Sequence, residues 1–167
     1  MSKNEGKKFE EDFSNCFIKE NIFIYRLKDS ASAWNSGQVS RFTVHNACDF
    51  IAFNPFSKNI LMIECKSFLG KSCPFSNIKL HQINEMYYYS TKYSEVEACF
   101  IFNFRSLDKT YAVNVMNIKK LYDSKERKSV SLKFCEKNGV LIEQIKKKTR
   151  FSYNIYNIFN KSIDYIQ

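Results

Sequence analysis

Apolar positions along the chain change period several times, and the changes mark the elements. Phe9, Phe13, Cys16 and Phe17 recur at helical spacing, with Glu10, Glu11 and Asp12 among them, and predict an amphipathic helix over residues 6–20. Residues 22–27 read as a strand and 28–46 as a polar loop. Two short apolar runs follow, Cys48-Asp49-Phe50-Ile51-Ala52-Phe53 and Ile60-Leu61-Met62-Ile63, each too short for a separate helix. The turn formers Asn54, Pro55, Ser57 and Asn59 between them predict an antiparallel hairpin. Residues 67–75 form a loop broken by Gly70 and Pro74, and Ser76 suits the N-cap of a second helix to about residue 92, with Ile78, Ile83, Met86 and Tyr87 inward. Residues 97–104 and 110–115 read as two strands, 118–125 as a short helix, 129–134 as strand-like and 151–159 as a terminal helix. The order α-β-β-β-α-β-β-α predicts the α/β class: a single domain over 1–167, with one mixed sheet flanked by helices and no repeat.

Three charges break the apolar hairpin. Pairing Phe53 with Ile60 sets Asp49 opposite Glu64, and Lys66 follows two residues later on the same face. Carboxylates about 5 Å apart repel unless a cation joins them. Mg²⁺ suits the pair, because it takes oxygen ligands and needs only one or two protein carboxylates. A lysine beside it can orient a water or stabilise charge on a phosphate. On its own, a D…ExK pattern also describes a strand-start acid followed by a surface ion pair.

Composition narrows the partners. The chain has 167 residues and 26 Lys+Arg against 17 Asp+Glu, a net charge of +9 that favours a polyanion. Lys146, Lys147, Lys148 and Arg150 form a basic run, and Lys28, Arg41 and Lys71 flank the charged hairpin in sequence. Six cysteines form no CxxC pair and read as small buried thiols. No apolar run is long enough to span a membrane and the N-terminus lacks a signal-peptide pattern, so the expectation is a soluble, cytoplasmic protein with no membrane partner and no small-molecule cofactor.

Helix, strand, loop, an Asp-bearing strand, an ExK-bearing strand and a helix together resemble the PD-(D/E)XK nuclease core. More narrowly, the chain resembles the RecU family of Holliday junction resolvases. Asn4-x-Gly6-x-x-Phe9-Glu10 matches that family's helix motif, Asp49-Phe50 its acidic position, Ile63-Glu64-Cys65-Lys66 its EAK-like segment and His81-Gln82 its HQ pair. Lys128-Ser129-Val130, Glu136-Lys137-Asn138-Gly139 and Arg150-Phe151-Ser152-Tyr153 continue the likeness downstream. The resemblance implies a catalytic set of Glu10, Asp49, Glu64, Lys66 and Gln82. Asp49, Glu64 and the Cys65 carbonyl would hold Mg²⁺, with Mn²⁺ as a substitute. Lys66 would activate or orient water, Gln82 would orient the nucleophile or phosphate, and His81 would contact phosphate.

The resemblance further implies a homodimer that resolves four-way DNA junctions in recombination and repair. It departs at residues 28–46, where the family's longer insertion forms a stalk entering the junction. The shorter loop here carries Trp34, which could stack on an unpaired base or pack on the core. Two other functions stay open at this point: a nuclease of the same fold acting on flaps, nicked or linear duplex DNA, and a non-catalytic DNA-binding module.

Overall fold

The computed structural model describes residues 3–28 and 45–160. Helix α1 (Lys3–Lys19) buries Phe9, Phe13, Cys16 and Phe17 as the spacing predicts. Strands β1 (Ile24–Arg26), β2 (Phe50–Phe53) and β3 (Ile60–Phe68) follow, then the short β4 (Ser72–Pro74) and helix α2 (Leu80–Lys92). Strands β5 (Val96–Phe104) and β6 (Lys109–Asn114) precede helix α3 (Val115–Ser124), strand β7 (Ser129–Ser131) and helix α4 (Leu132–Asn138). The chain closes with β8 (Gly139–Ile142), β9 (Gln144–Lys147), β10 (Arg150–Tyr153) and α5 (Tyr156–Asn160). Among the described residues, six strands form one sheet in the order β1-β2-β3-β5-β6-β8, with β3 and β5 parallel and the other neighbours antiparallel. This is the expected mixed sheet.

The alternation of β3 splits the core into two layers. Leu61, Ile63 and Cys65 pack with α1, β10 and α5 on one face, whereas Met62 and Phe68 pack with α2, α3 and α4 on the other. By the same period Glu64 and Lys66 belong to the α2 face. Gly139 permits the entry to β8, since a Cβ there would lie 2.7 Å from the Ala112 carbonyl oxygen and 2.8 Å from that of Cys135.

Several sequence expectations move. Strand β3 runs on to Phe68, whose ring lies 4.7 Å from Phe104, so Glu64 and Lys66 stand inside a long central strand and not at its end. Helix α2 begins at Leu80 after a single 3-10 turn at Phe75–Asn77, because Ile78 enters the core in an extended conformation; Ser76 caps nothing. Residues 132–138 are helical, started by Ser131 Oγ accepting from the Phe134 amide at 3.2 Å. Residues 150–153 are a strand paired with β9 and not the start of a terminal helix. Asp12 explains that difference: its Oδ2 accepts from the Phe151 amide at 3.0 Å and its Oδ1 binds Arg150, tying the β9–β10 hairpin to α1.

Candidate active site

The β2–β3 hairpin has the register read from the sequence, with Phe53 opposite Ile60 and Phe50 opposite Ile63. The Asp49 amide continues the ladder to the Ile63 carbonyl at 3.0 Å, which sets Asp49 beside Glu64. Asp49 Oδ2 accepts from the Cys65 amide at 2.8 Å and is thereby fastened to the strand that carries Glu64 and Lys66. Leu27 donates to the Asp49 carbonyl at 2.9 Å, so β1 braces the same corner.

Glu64 is 1% exposed, and Lys66 Nζ lies 2.6 Å from its Oε1. Burial, and next the charge of Asp49, push the Glu64 carboxyl up to about 7, against the opposing pull of Lys66 and Gln82. Burial draws the Lys66 ammonium down, but the Glu64 and Asp49 charges outweigh it and hold it above its ordinary value. Gln82 enters from α2 and is buried. Glu64 Oε2 and Gln82 Oε1 are buried acceptors without a hydrogen-bond donor among the described residues. An acceptor in that position calls for a cation or a water.

The donor set fits a hard divalent ion. Two carboxylates supply the negative charge, and an orphaned carboxylate oxygen is ready to accept a cation. No group of three or more His, Cys, Asp or Glu side chains among the described residues is arranged to hold a metal, so protein carboxylates would account for only part of an ion's shell. The Cys65 thiol takes no part: its side chain packs in the opposite, α1-side core, where burial raises its pKa. All six cysteines are free and buried.

The remaining expected residues distribute unevenly. Glu10 binds Arg26 of β1, so the first-helix acid already has a cation at its side. His81 is half-buried at the start of α2, its Nε2 without a partner among the described residues and its ring 5.1 Å from that of His45. Lys28 is exposed where its carbonyl accepts from Asn46 Nδ2 at 2.9 Å, joining the two ends of the 28–46 segment near Asp49. Lys71 is exposed in the turn after β3. Lys146, Lys147 and Lys148 sit at the turn end of the β9–β10 hairpin, exposed, with Lys146 Nζ 3.6 Å from Asp108. Arg150, expected at DNA, is paired with α1, where Glu11 lies 2.7 Å away and Asp12 also binds it. Trp34 and Arg41 lie outside the described residues.

Sequence reasoning missed Arg26 and His45. Arg26 sits at the end of the expected first strand, and its register partner Phe50 directly follows Asp49. His45 is one of only two histidines, four residues before Asp49, a signal available but unused.

The profile of the family described as recombination protein U matches residues 7–161. The chain is 27% identical over 175 residues to the SPbeta prophage-derived uncharacterized protein YotM of Bacillus subtilis (strain 168), covering 96% of this chain and 87% of that protein. Among solved structures, Hjc of Archaeoglobus fulgidus, a Holliday junction resolvase from an archaeal hyperthermophile, superimposes with a TM-score of 0.50 at 17% identity. That match covers 80% of this chain and 93% of Hjc.

Proposed function

The chain belongs to the recombination protein U family, and on that premise we propose that it is a divalent-metal-dependent endonuclease that resolves four-way DNA junctions. The observation that carries the reading is the buried Glu64 carboxylate, flanked by Asp49, paired with Lys66 at 2.6 Å and left with an unsatisfied oxygen beside Gln82. A structural ion pair gains nothing from a second carboxylate and an orphaned acceptor in the core. A phosphoryl-transfer site needs both.

Hydrolysis requires a water oxygen to attack phosphorus while a sugar oxygen leaves. Asp49, Glu64 and the Cys65 carbonyl would hold Mg²⁺, or Mn²⁺ in its place, which when bound supplies Lewis-acid polarisation of the phosphate and neutralises the paired carboxylates. Lys66, kept cationic by its contact with Glu64, orients the water or stabilises charge gathering on the phosphate oxygens. Gln82 positions the same carboxylate from α2, and His81 contacts a neighbouring phosphate. Glu10, with Arg26, shapes the α1 side of the site.

Symmetric cutting of two strands requires two such sites about a two-fold axis, so the working unit is a homodimer. Tyr88, Tyr89 and Tyr93 are exposed along the end of α2 and supply an aromatic surface for it. No helix among the described residues is long and apolar enough to cross a membrane, and the ligand in this reading is branched DNA. The test compares equal concentrations of four-way, three-way, flap and linear DNA in Mg²⁺, with the dimer followed by light scattering. Preferential paired nicking of the four-way junction is expected; equal cutting of linear duplex would reassign the substrate.

A further inference from the structure

A cleft of about 570 Å³ opens between α3 and α4, apart from the carboxylate site. Lys120 and Arg127 stand on its α3 side and Lys133 and Lys137 on its α4 side, all four exposed. Leu121 and Phe134 line the cleft, and Asn117 Nδ2, donating to the Asn138 carbonyl at 3.2 Å, fastens the two helices together.

The charge of this cleft is unbalanced. None of the four cations has an ion-pair partner among the described residues. Two acids of the same helices are engaged elsewhere: Asp123 with Lys119 at 2.5 Å, and Glu136 with Lys109 at 3.1 Å. Glu126 is the one acid lining the cleft. Lys133 and Lys137, four apart on one helix, face the same way and repel each other. Two helices tied together with unpaired cations on both walls are suited to an anion that enters between them.

We propose that this cleft is a second DNA-backbone site, which grips a duplex arm at a distance from the cut. The inference rests on the endonuclease reading and adds a site to it. Three observations favour duplex phosphates. First, α4 packs on β6 and β8 and belongs to the same layer as α2, the layer that covers the face carrying Glu64. Second, β8 lies three places from β3 in the sheet, on the order of 14 Å at the usual strand spacing. That corresponds to about four base pairs of duplex. Third, Lys133 and Lys137 span about 6 Å of helix, close to the axial length of two phosphates on one strand. A duplex seated at Glu64 can therefore meet the cleft along its own length.

The experiment measures binding of fluorescein-labelled 20-base-pair duplex and four-way junction by anisotropy across a salt series, without divalent metal. Lys133→Gln/Lys137→Gln is expected to raise Kd about 10-fold at 0.15 M salt and to reduce the log–log salt slope by about two. The control Lys19→Gln/Lys58→Gln, at exposed positions outside the cleft, should change Kd less than about 2-fold. If the α4 variant melts early, Lys120→Gln/Arg127→Gln on the opposite wall serves in its place with the same expectation. Wild-type binding with an unchanged slope in a folded cleft variant would overturn the inference. So would binding of inorganic phosphate or ATP at the cleft with no effect of these substitutions on DNA. Wild type that binds DNA but cuts nothing would instead overturn the nuclease reading, while the slope test on the cleft would still decide the inference.

Discussion

Lys66 Nζ lies 2.6 Å from Glu64 Oε1 inside the central strand of the sheet, with Asp49 fastened to the backbone between them through the Cys65 amide. Side chains two apart on a strand share a face, so the pairing follows from the spacing. What the spacing does not supply is the second carboxylate. Its presence turns a self-contained ion pair into a site with excess negative charge.

That excess has a cost in the metal-free protein. Asp49→Asn keeps an acceptor for the Cys65 amide but removes the like charge that raises Glu64. Two such charges at about 5 Å in a partly screened site repel by roughly 1–3 kcal/mol. The variant should therefore melt a few degrees higher than wild type in EDTA at pH 8, lose cleavage and lose the Mg²⁺-induced rise in melting temperature. A melting temperature at or below wild type would show that the attraction of Asp49 for Lys66 outweighs its repulsion of Glu64.

Lys66→Ala deletes the cation on the catalytic face. Losing one preorganised group of this kind typically lowers the rate about 10²-fold or more. It also strands a buried carboxylate, which commonly costs about 3–5 kcal/mol. Single-turnover cleavage at saturating DNA and metal, with melting in parallel, measures both. A rate within a few-fold of wild type would return Lys66 to a purely structural pair.

Arg150 and its lysine neighbours should separate. Arg150→Ala frees Glu11 and Asp12 on α1 and loosens the β9–β10 hairpin, so the expected result is a lower melting temperature with an unchanged salt slope for DNA binding. Lys147→Ala/Lys148→Ala should do the reverse, leaving stability in place and reducing the slope by up to about two. A flattened slope in Arg150→Ala would place that guanidinium on DNA after all.

The hairpin register, the burial of Glu64 and its pairing with Lys66 were legible because period-2 alternation and turn length fix them together. Helix α4 was not. Leu132 to Asn138 follows β7 without a break, and its start depends on Ser131 capping a helix in a stretch that otherwise reads as strand. The ion pair of Arg150 was hidden for a related reason: a basic run in sequence shows only its charge, and the acid that binds Arg150, Asp12, lies far away in the chain. Residue pairs more than a hundred positions apart leave no local trace. The start of α2 was misplaced because Ser76 suits a cap chemically, while the burial of Ile78 decides where the helix can begin.

Trp34 belongs to the 28–46 segment, whose ends meet near Asp49. If it stacks on an unpaired base at the junction centre, Trp34→Ala should cost roughly 1–3 kcal/mol of junction affinity and less on linear duplex. Indole fluorescence should then change on adding a junction and much less on adding duplex. Equal losses on both DNAs would assign junction preference elsewhere.

The central claim is that Asp49, Glu64 and Lys66 form one metal-dependent phosphodiester-cleaving site. Its most direct test is single-turnover cleavage of a labelled four-way junction by wild type and by Glu64→Gln, each in Mg²⁺ and in EDTA, with junction binding measured on the same samples. Cleavage is expected only for wild type in Mg²⁺, with binding nearly equal for both proteins because phosphate contacts supply most of the affinity. Near-wild-type turnover by Glu64→Gln, or wild-type cleavage that persists in EDTA, would contradict the account.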